Sequence, residues 1–328
     1  MLTKPFKDIS KCSSNRKMVG TKVGFIGLGA MGSGIALNLL KCGCSLVVND
    51  INRNTAGPHL EAGAVWADSP REVAEASEVI FTSLPGPREV EDVALGKQGI
   101  LEGVSPEKVY FDLSTISPMA IRRIHNMFLG KGVHVFDAPV STRGVPGDKL
   151  AAIWVGGDKA IYEKYKHVLD VMADKPIYIG PIGAGSVAKL VHNCSTFMIY
   201  QALAETFTMG VKAGLDPLTL WKAVREGGAG RRRTFDALAV RLLPSPLCPP
   251  GFALKLAMKD AALAVEVGRE LKVPMRLANL TLEEFTEAFN RGWGDCDYDS
   301  FMFLQEERSG VRVRAPRKKI QEVLENDE

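Results

Sequence analysis

The sequence predicts an α/β fold: a doubly wound parallel sheet followed by an all-helical C-terminal domain, the two joined by a long helix. Three observations carry this expectation. Short β-branched and aromatic runs alternate with helical stretches from Lys22 to about Phe136, the pattern of right-handed strand–helix–strand units in a sheet covered on both faces. A glycine-rich turn, Gly27-Leu28-Gly29-Ala30-Met31-Gly32, stands between the first strand and the first helix. Beyond Gly183 strands become hard to find, and Ser186 to Ala213 carries apolar residues at helical spacing.

Taken in order, Val23 to Ile26 is the first strand, Met31 to Lys41 the first helix, and Leu46 to Val48 the second strand. Gly43 stands where a helix end wants a positive φ. Val79–Thr82, Val109–Asp112 and Val133–Phe136 are further strands. The helix from Ser186 would span roughly 40 Å at 1.5 Å per residue. Lys189, His192, Asn193, Gln201 and Glu205 interrupt it, which a bilayer would not tolerate. Residues 1–21 then read as an N-terminal tail, 22–182 as a dinucleotide-binding domain, 183–313 as a helical substrate and dimerisation domain, and 314–328 as a polar C-terminal tail. The helical part is broken by the Pro-rich segment Leu243 to Pro250, and no internal repeat is evident.

A chain of 328 residues can build two cores, and 46% hydrophobic with 24% charged residues is ordinary for a soluble protein. A net charge of +3 argues against nucleic acid or an acidic membrane as partner. Six cysteines without a C-x-x-C pair read as reduced thiols, not a zinc site, so no metal is expected. No run of about 20 apolar residues suggests a membrane span. The lysine-rich first residues lack an apolar core for a secretory signal. A cytoplasmic location is expected, with organellar targeting by the N-terminal tail left open.

The glycine turn fits a Rossmann-type phosphate loop: the first glycine permits the tight turn, the second lets the pyrophosphate approach, and the third packs helix on strand. The helix N-terminus adds unpaired N–H groups for phosphate. Gly27, Leu28, Gly29, Ala30, Met31 and Gly32 are therefore the first cofactor residues. Asp50 closes the second strand at about the 20-residue spacing of a ribose-binding acid. A carboxylate there favours NAD and repels a 2′-phosphate, whereas Arg53 partly offsets it, so NAD is expected and NADP is possible. Asp50 as a plain turn residue is the competing account.

Four motifs resemble the β-hydroxyacid dehydrogenase family, of 3-hydroxyisobutyrate dehydrogenase type, from about Lys22 to about Val311. They are Gly24 to Gly32, Asp137-Ala138-Pro139-Val140-Ser141, Gly180 to Asn193, and Lys259-Asp260-Ala261-Ala262-Leu263-Ala264. The resemblance implies hydride transfer between a nicotinamide and a small anionic hydroxy acid. It makes Lys189 the general acid/base and Asn193 a substrate-positioning residue, and the two are one helical turn apart on one face. The chemistry agrees, because an alcohol losing hydride must also lose its hydroxyl proton, which a lysine of lowered pKa can take. A snorkelling surface lysine is the alternative.

The resemblance further implies cofactor contacts for Leu84, Pro85, Thr115, Lys259 and Asp260. Turn chemistry competes for the first three, and a solvated helix-end charge pair for the last two. It implies that Ser141 and its loop hold the substrate carboxylate. Here the loop departs from the family's Asp-Ala-Pro-Val-Ser-Gly-Gly, reading Ser141-Thr142-Arg143-Gly144. Arg143 could clamp a carboxylate, sulfonate or phosphate, point outward, or reach a cofactor phosphate. Arg232, within Arg231-Arg232-Arg233, either joins Arg143 at an anionic substrate or belongs to a solvated cluster. The basic residues at Arg312, Arg314, Arg317, Lys318 and Lys319 read as a solvated end, and His192 as a core or interface histidine.

Two other functions compete. One is an NADPH-dependent semialdehyde reductase of succinic semialdehyde, glyoxylate or sulfolactaldehyde type, against which Asp50 argues. The other is a catalytically silent dinucleotide-binding scaffold, against which the retained Lys189 argues. A homodimer or homotetramer is expected from the resemblance.

Overall fold

The computed structural model describes residues 20–142, 152–227, 238–239, 242–244, 250–272 and 274–325. These fall into two compact units, divided between Leu190 and Val191.

The first unit is built on one nine-stranded sheet. Its elements run β1 (Lys22–Ile26), α1 (Gly32–Lys41), β2 (Ser45–Asn49), α2 (Gly57–Glu61), β3 (Val65–Trp66), α3 (Pro70–Ala76), β4 (Val79–Thr82), α4 (Pro87–Leu95) and α5 (Ile100–Gly103). They continue with β5 (Val109–Asp112), α6 (Pro118–Leu129), β6 (His134–Asp137), β7 (Val140–Ser141), β8 (Ala152–Gly156), α7 (Lys159–Met172) and β9 (Pro176–Gly180). The strand order β3-β2-β1-β4-β5-β6-β8-β7, with β9 beside β8, contains the doubly wound order expected for a dinucleotide fold. The strands β1 to β6 are parallel as expected. The sheet as a whole is mixed, since β8 runs antiparallel to β6 and β7.

Side chains alternate between the two faces of this sheet, which is why its strands read as continuous apolar runs. On one face Phe25, Phe81, Phe111 and Phe136 stand in register across β1, β4, β5 and β6. Successive rings stack with centroids 6.2, 5.4 and 4.6 Å apart. Ile35, Ala36 and Leu39 of α1 and Leu169 and Met172 of α7 cover that row. On the other face Ile80, Tyr110 and Val135 meet Val73 of α3, Val90 of α4 and Ile121, Ile124 and Phe128 of α6. Side-chain caps start the helices cleanly: Ser69, Ser117 and Asp158 accept backbone N–H groups at the starts of α3, α6 and α7, and proline opens α3 and α6. Gly43 has φ +89°, as the end of α1 requires.

The long helix α8 (Ala184–Lys212) begins two residues earlier than expected. The second unit continues with α9 (Pro217–Glu226), α10 (Leu254–Glu270), α11 (Arg276–Ala288), α12 (Met302–Ser309) and α13 (Arg317–Glu325), with a π-helical turn at Phe289–Trp293. Its core packs Phe197, Trp221, Phe285, Tyr298 and Phe301. The expected polar tail is corrected: Ala315 and, on helix α13, Ile320 are buried in this core. Arg314 corrects the solvated reading in the same way: it pairs with the buried Glu306 and lies over the Phe303 ring at 4.1 Å. Among the described residues, no helix is long and apolar enough to cross a membrane. Cys44 and Cys194 are free, buried thiols, but Cys42 is disulfide-bonded, so the expectation of six reduced thiols fails there.

Candidate active site

Because β1, β4, β5 and β6 run parallel, the turns that follow them gather at one edge of the sheet. That edge carries Gly27 to Gly32 after β1, Leu84-Pro85 after β4, Ser114-Thr115 after β5, and Asp137 to Ser141 at the end of β6 and in β7. Strand order reverses between β1 and β4, the place where open α/β sheets bind nucleotides.

The glycines of the first turn differ in what surrounds them. A Cβ on Gly27, which has φ +96°, would sit 2.3 Å from the Ser83 carbonyl oxygen, and one on Gly32 would sit 1.9 Å from the Gly27 carbonyl oxygen. A Cβ on Gly29 would meet nothing within 4 Å. Tight packing at the first and third glycines with open space at the second is the arrangement a pyrophosphate needs. Helix α1 has no acidic residue in its first turn, so nothing there opposes a phosphate. Asp50 accepts from the Leu28 N–H at 2.6 Å through Oδ2 and from the Asn52 N–H at 2.8 Å through Oδ1. It therefore fixes the glycine turn. Arg53 lies over the Trp66 ring at 5.3 Å. The Leu84 N–H donates to Ser114 Oγ at 2.9 Å, and the Ser114 N–H donates to the buried Asp112, which ties the loops after β4 and β5 together beside Thr115.

Lys189, in the second turn of α8, is half-buried. Its Nζ donates to the Val140 carbonyl at 2.8 Å and lies 6.0 Å from the centre of the Trp154 ring. A snorkelling surface lysine does not bridge in this way, so the structure brings Lys189 to the segment that holds Ser141 and Thr142. Asp137, at the start of that segment, is 1% exposed. It accepts from the Gly183 N–H at 2.7 Å and the Ser186 N–H at 2.6 Å. Burial raises its carboxyl from 3.8 to about 6, against the lowering effect of those two N–H groups.

In the second unit, the buried Asn193 donates through Nδ2 to Asp260 Oδ2 at 2.6 Å. Lys259 Nζ lies 2.8 Å from Asp260 Oδ1. Asp260 is 2% exposed, so the pair is not the solvated helix-end pair weighed above: the Asn193 amide supplies a hydrogen bond to Oδ2, and Lys259 supplies opposite charge beside Oδ1. His192 is exposed, not core, and its Nδ1 lies 3.0 Å from Asn193 Oδ1. Arg143 and Arg231 to Arg233, including Arg232, lie outside the described residues. Among the described residues no three His, Cys, Asp or Glu side chains are grouped as metal ligands.

Two contacts escaped the reading of the sequence. Asp137 stands inside a motif that gives it no task of its own, and the Val140 carbonyl is backbone. Only the glycines at 156 and 185 hint at them, as positions where another group must come close.

Comparison with known proteins identifies the family. Residues 22–180 match the family model described as the NAD binding domain of 6-phosphogluconate dehydrogenase, and residues 183–303 match that described as NAD-binding of NADP-dependent 3-hydroxyisobutyrate dehydrogenase. The chain is 34% identical over 294 residues to 2-(hydroxymethyl)glutarate dehydrogenase of Eubacterium barkeri, covering 89% of this chain and 97% of the relative. It is 32% identical to glyoxylate/succinic semialdehyde reductase 2, chloroplastic, of Arabidopsis thaliana, covering 89% and 81%. The solved structure of Mycobacterium tuberculosis 3-hydroxyisobutyrate dehydrogenase with L-serine superposes with a TM-score of 0.77 at 27% identity, covering 87% of this chain and 98% of that one. Fold and site thus define an NAD(P)-dependent oxidoreductase acting on a CH–OH group. The chain belongs to the β-hydroxyacid dehydrogenase family.

Proposed function

We propose that this protein oxidises a small anionic β-hydroxy acid of 3-hydroxyisobutyrate type, with Lys189 as general acid/base. The observation that carries the reading is the 2.8 Å hydrogen bond from Lys189 Nζ to the Val140 carbonyl, one residue from Ser141. A bound nicotinamide supplies the acceptor for the hydride leaving the carbinol carbon. The work of the chain is to hold the alcohol and take its proton. Lys189 receives the hydroxyl proton in oxidation and returns it in reduction. Ser141, Thr142 and the loop amides hold the carboxylate, with Arg143 and Arg232 as further anion ligands. Asn193 lies one helical turn beyond Lys189 on α8, the spacing that lets both address one substrate.

The open space at Gly29 supports Gly27, Leu28, Gly29, Ala30, Met31 and Gly32 as the pyrophosphate cradle. Asp50 takes the ribose, Arg53 lies at its rim, and Leu84, Pro85 and Thr115 line the strand edge. Lys259 and Asp260 are assigned to the cofactor by family resemblance, although the Asp260 hydrogen bond to Asn193 favours a part in substrate positioning. The carboxylate of Asp50 favours NAD. Arg53 keeps NADP open, and with it the reverse, semialdehyde-reducing direction for which the Arabidopsis relative is named. Exposed Val191 and Ile199 on α8, with Leu277 and Leu280 on α11, support a homodimer or homotetramer.

The test is direct. The protein is incubated with NAD or NADP and 3-hydroxyisobutyrate, glycerate, serine or a sulfonate-bearing alcohol, and absorbance of the reduced cofactor is followed. Turnover of at least one acid is expected, faster with NAD. No turnover with any acid, and none of the corresponding semialdehydes in reverse, would leave the silent scaffold standing.

A further inference from the structure

We infer that Asp137 is a positioning residue for the reaction: its carboxylate fastens the end of β6 to the first turn of α8 and so fixes where the Lys189 amine lies. The inference rests on the reading of Lys189 as general acid/base.

Three hydrogen bonds join the two segments that meet at that amine. Asp137 and Val140 are three residues apart in the substrate segment, and Ser186 and Lys189 are three residues apart on α8. Asp137 Oδ2 accepts from the Ser186 N–H at 2.6 Å, and Val140 O accepts from Lys189 Nζ at 2.8 Å. The Gly183 N–H, at 2.7 Å from Asp137 Oδ1, closes the other side of the carboxylate. A slip of α8 along its axis breaks the carboxylate bonds and the lysine bond together.

The surroundings leave little freedom to relax. A Cβ on Gly156 would meet Asp137 Oδ1 at 2.4 Å, and one on Gly185 would meet the Asp137 carbonyl at 2.6 Å and the Trp154 carbonyl at 2.3 Å. Backbone at positions 156 and 185 therefore packs directly on Asp137, with the Ser186 side chain beside its carboxylate. Trp154, whose ring flanks the Lys189 amine, belongs to the same enclosure. A neutral serine or asparagine also caps a helix, without the cost of burying a charge. A carboxylate kept here against its own desolvation is spent on two short, charge-assisted bonds that hold geometry more tightly than neutral ones.

A double-mutant cycle tests the idea. Asp137→Asn, alone and combined with Lys189→Ala, is assayed in single turnover with excess enzyme, using whichever acid of the panel turns over fastest. Cofactor affinity and thermal unfolding are measured alongside. In the Lys189 protein, Asp137→Asn is expected to slow the chemical step about 10- to 100-fold, with NAD(P) affinity unchanged. In the Lys189→Ala background it should change the residual rate by less than about twofold, because the group it positions is gone. The same fold-loss in both backgrounds, or full activity in Asp137→Asn, overturns the inference while leaving Lys189 in its role. Wild-type turnover by Lys189→Ala alone overturns the reading of Lys189 and this inference with it. If Asp137→Asn is unfolded at the assay temperature, Ser186→Pro makes the same test. It removes the Ser186 N–H and hydroxyl and leaves the carboxylate, in a first turn where proline is tolerated.

Discussion

Gly29 and Gly32 stand in the same turn, yet a methyl group would do different harm at each. At Gly29 it would enter empty space on the phosphate side, whereas at Gly32 it would collide with the Gly27 carbonyl. Gly29→Ala is therefore expected to fold with an unchanged melting temperature and to lose NAD(P) affinity by tenfold or more. Gly32→Ala should lower the melting temperature itself. Calorimetry and cofactor titration on the two variants check both statements, and equal stability losses would contradict the assignment of the open glycine to pyrophosphate. Asp137 gives a residue-scale prediction of another kind. Its carboxyl titrates at about 6 in the folded protein against 3.8 in the unfolded chain. Between those values the native state holds a proton that the unfolded state has released, so this group lowers stability as pH rises through the window. Above pH 6 the cost is on the order of 3 kcal/mol. Denaturant unfolding of wild type and Asp137→Asn at pH 4.5 and pH 7.5 should show the variant gaining relative stability at the higher pH. A gap independent of pH would contradict the burial of an ionised Asp137. The glycines were legible because the motif sits between a strand and a helix. Asp137 was not, since its partners Gly183 and Ser186 return to it from more than 40 residues away and donate through backbone.

Among elements, α8 and α10 carry the next expectation. Asn193 is buried, and its amide is held by Asp260 on α10. Asp260→Ala leaves that amide without its acceptor, a loss of about 1–3 kcal/mol of stability, and frees Asn193 to rotate. A raised KM for the hydroxy acid, larger than any change in cofactor Kd, is expected in steady-state kinetics and cofactor titration. A change confined to cofactor Kd would return Asp260 to the nicotinamide side. Strands β1, β2, β4, β5 and β6 were legible as apolar runs because both faces of a parallel sheet are buried. Strands β3 and β7 have two residues each, too short for any period to show. In β9 Ile177 and Ile179 are exposed while Pro176 is buried, so its apolar residues point the wrong way for a core strand. Helix α13 reads as charged because its burial rests on Ile320, with Leu324 partly buried beside it.

For the whole molecule, the two units follow the order of the sequence: alternating strands and helices first, helices alone afterwards. Cofactor chemistry was written in local motifs on the strand edge, which is why its residues were legible. Substrate identity depends on the side chains that surround an acid, and the sequence leaves three readings for Arg143 and two for Arg232. The central claim is that one amine, held at the Val140 carbonyl, moves the alcohol proton. The most direct measurement is the single-turnover rate and the NAD(P) dissociation constant of Lys189→Ala, taken on the same preparation. The account predicts a rate lower by about 10²- to 10⁴-fold with an unchanged dissociation constant. An undiminished rate, or a loss explained wholly by weaker cofactor binding, would contradict it.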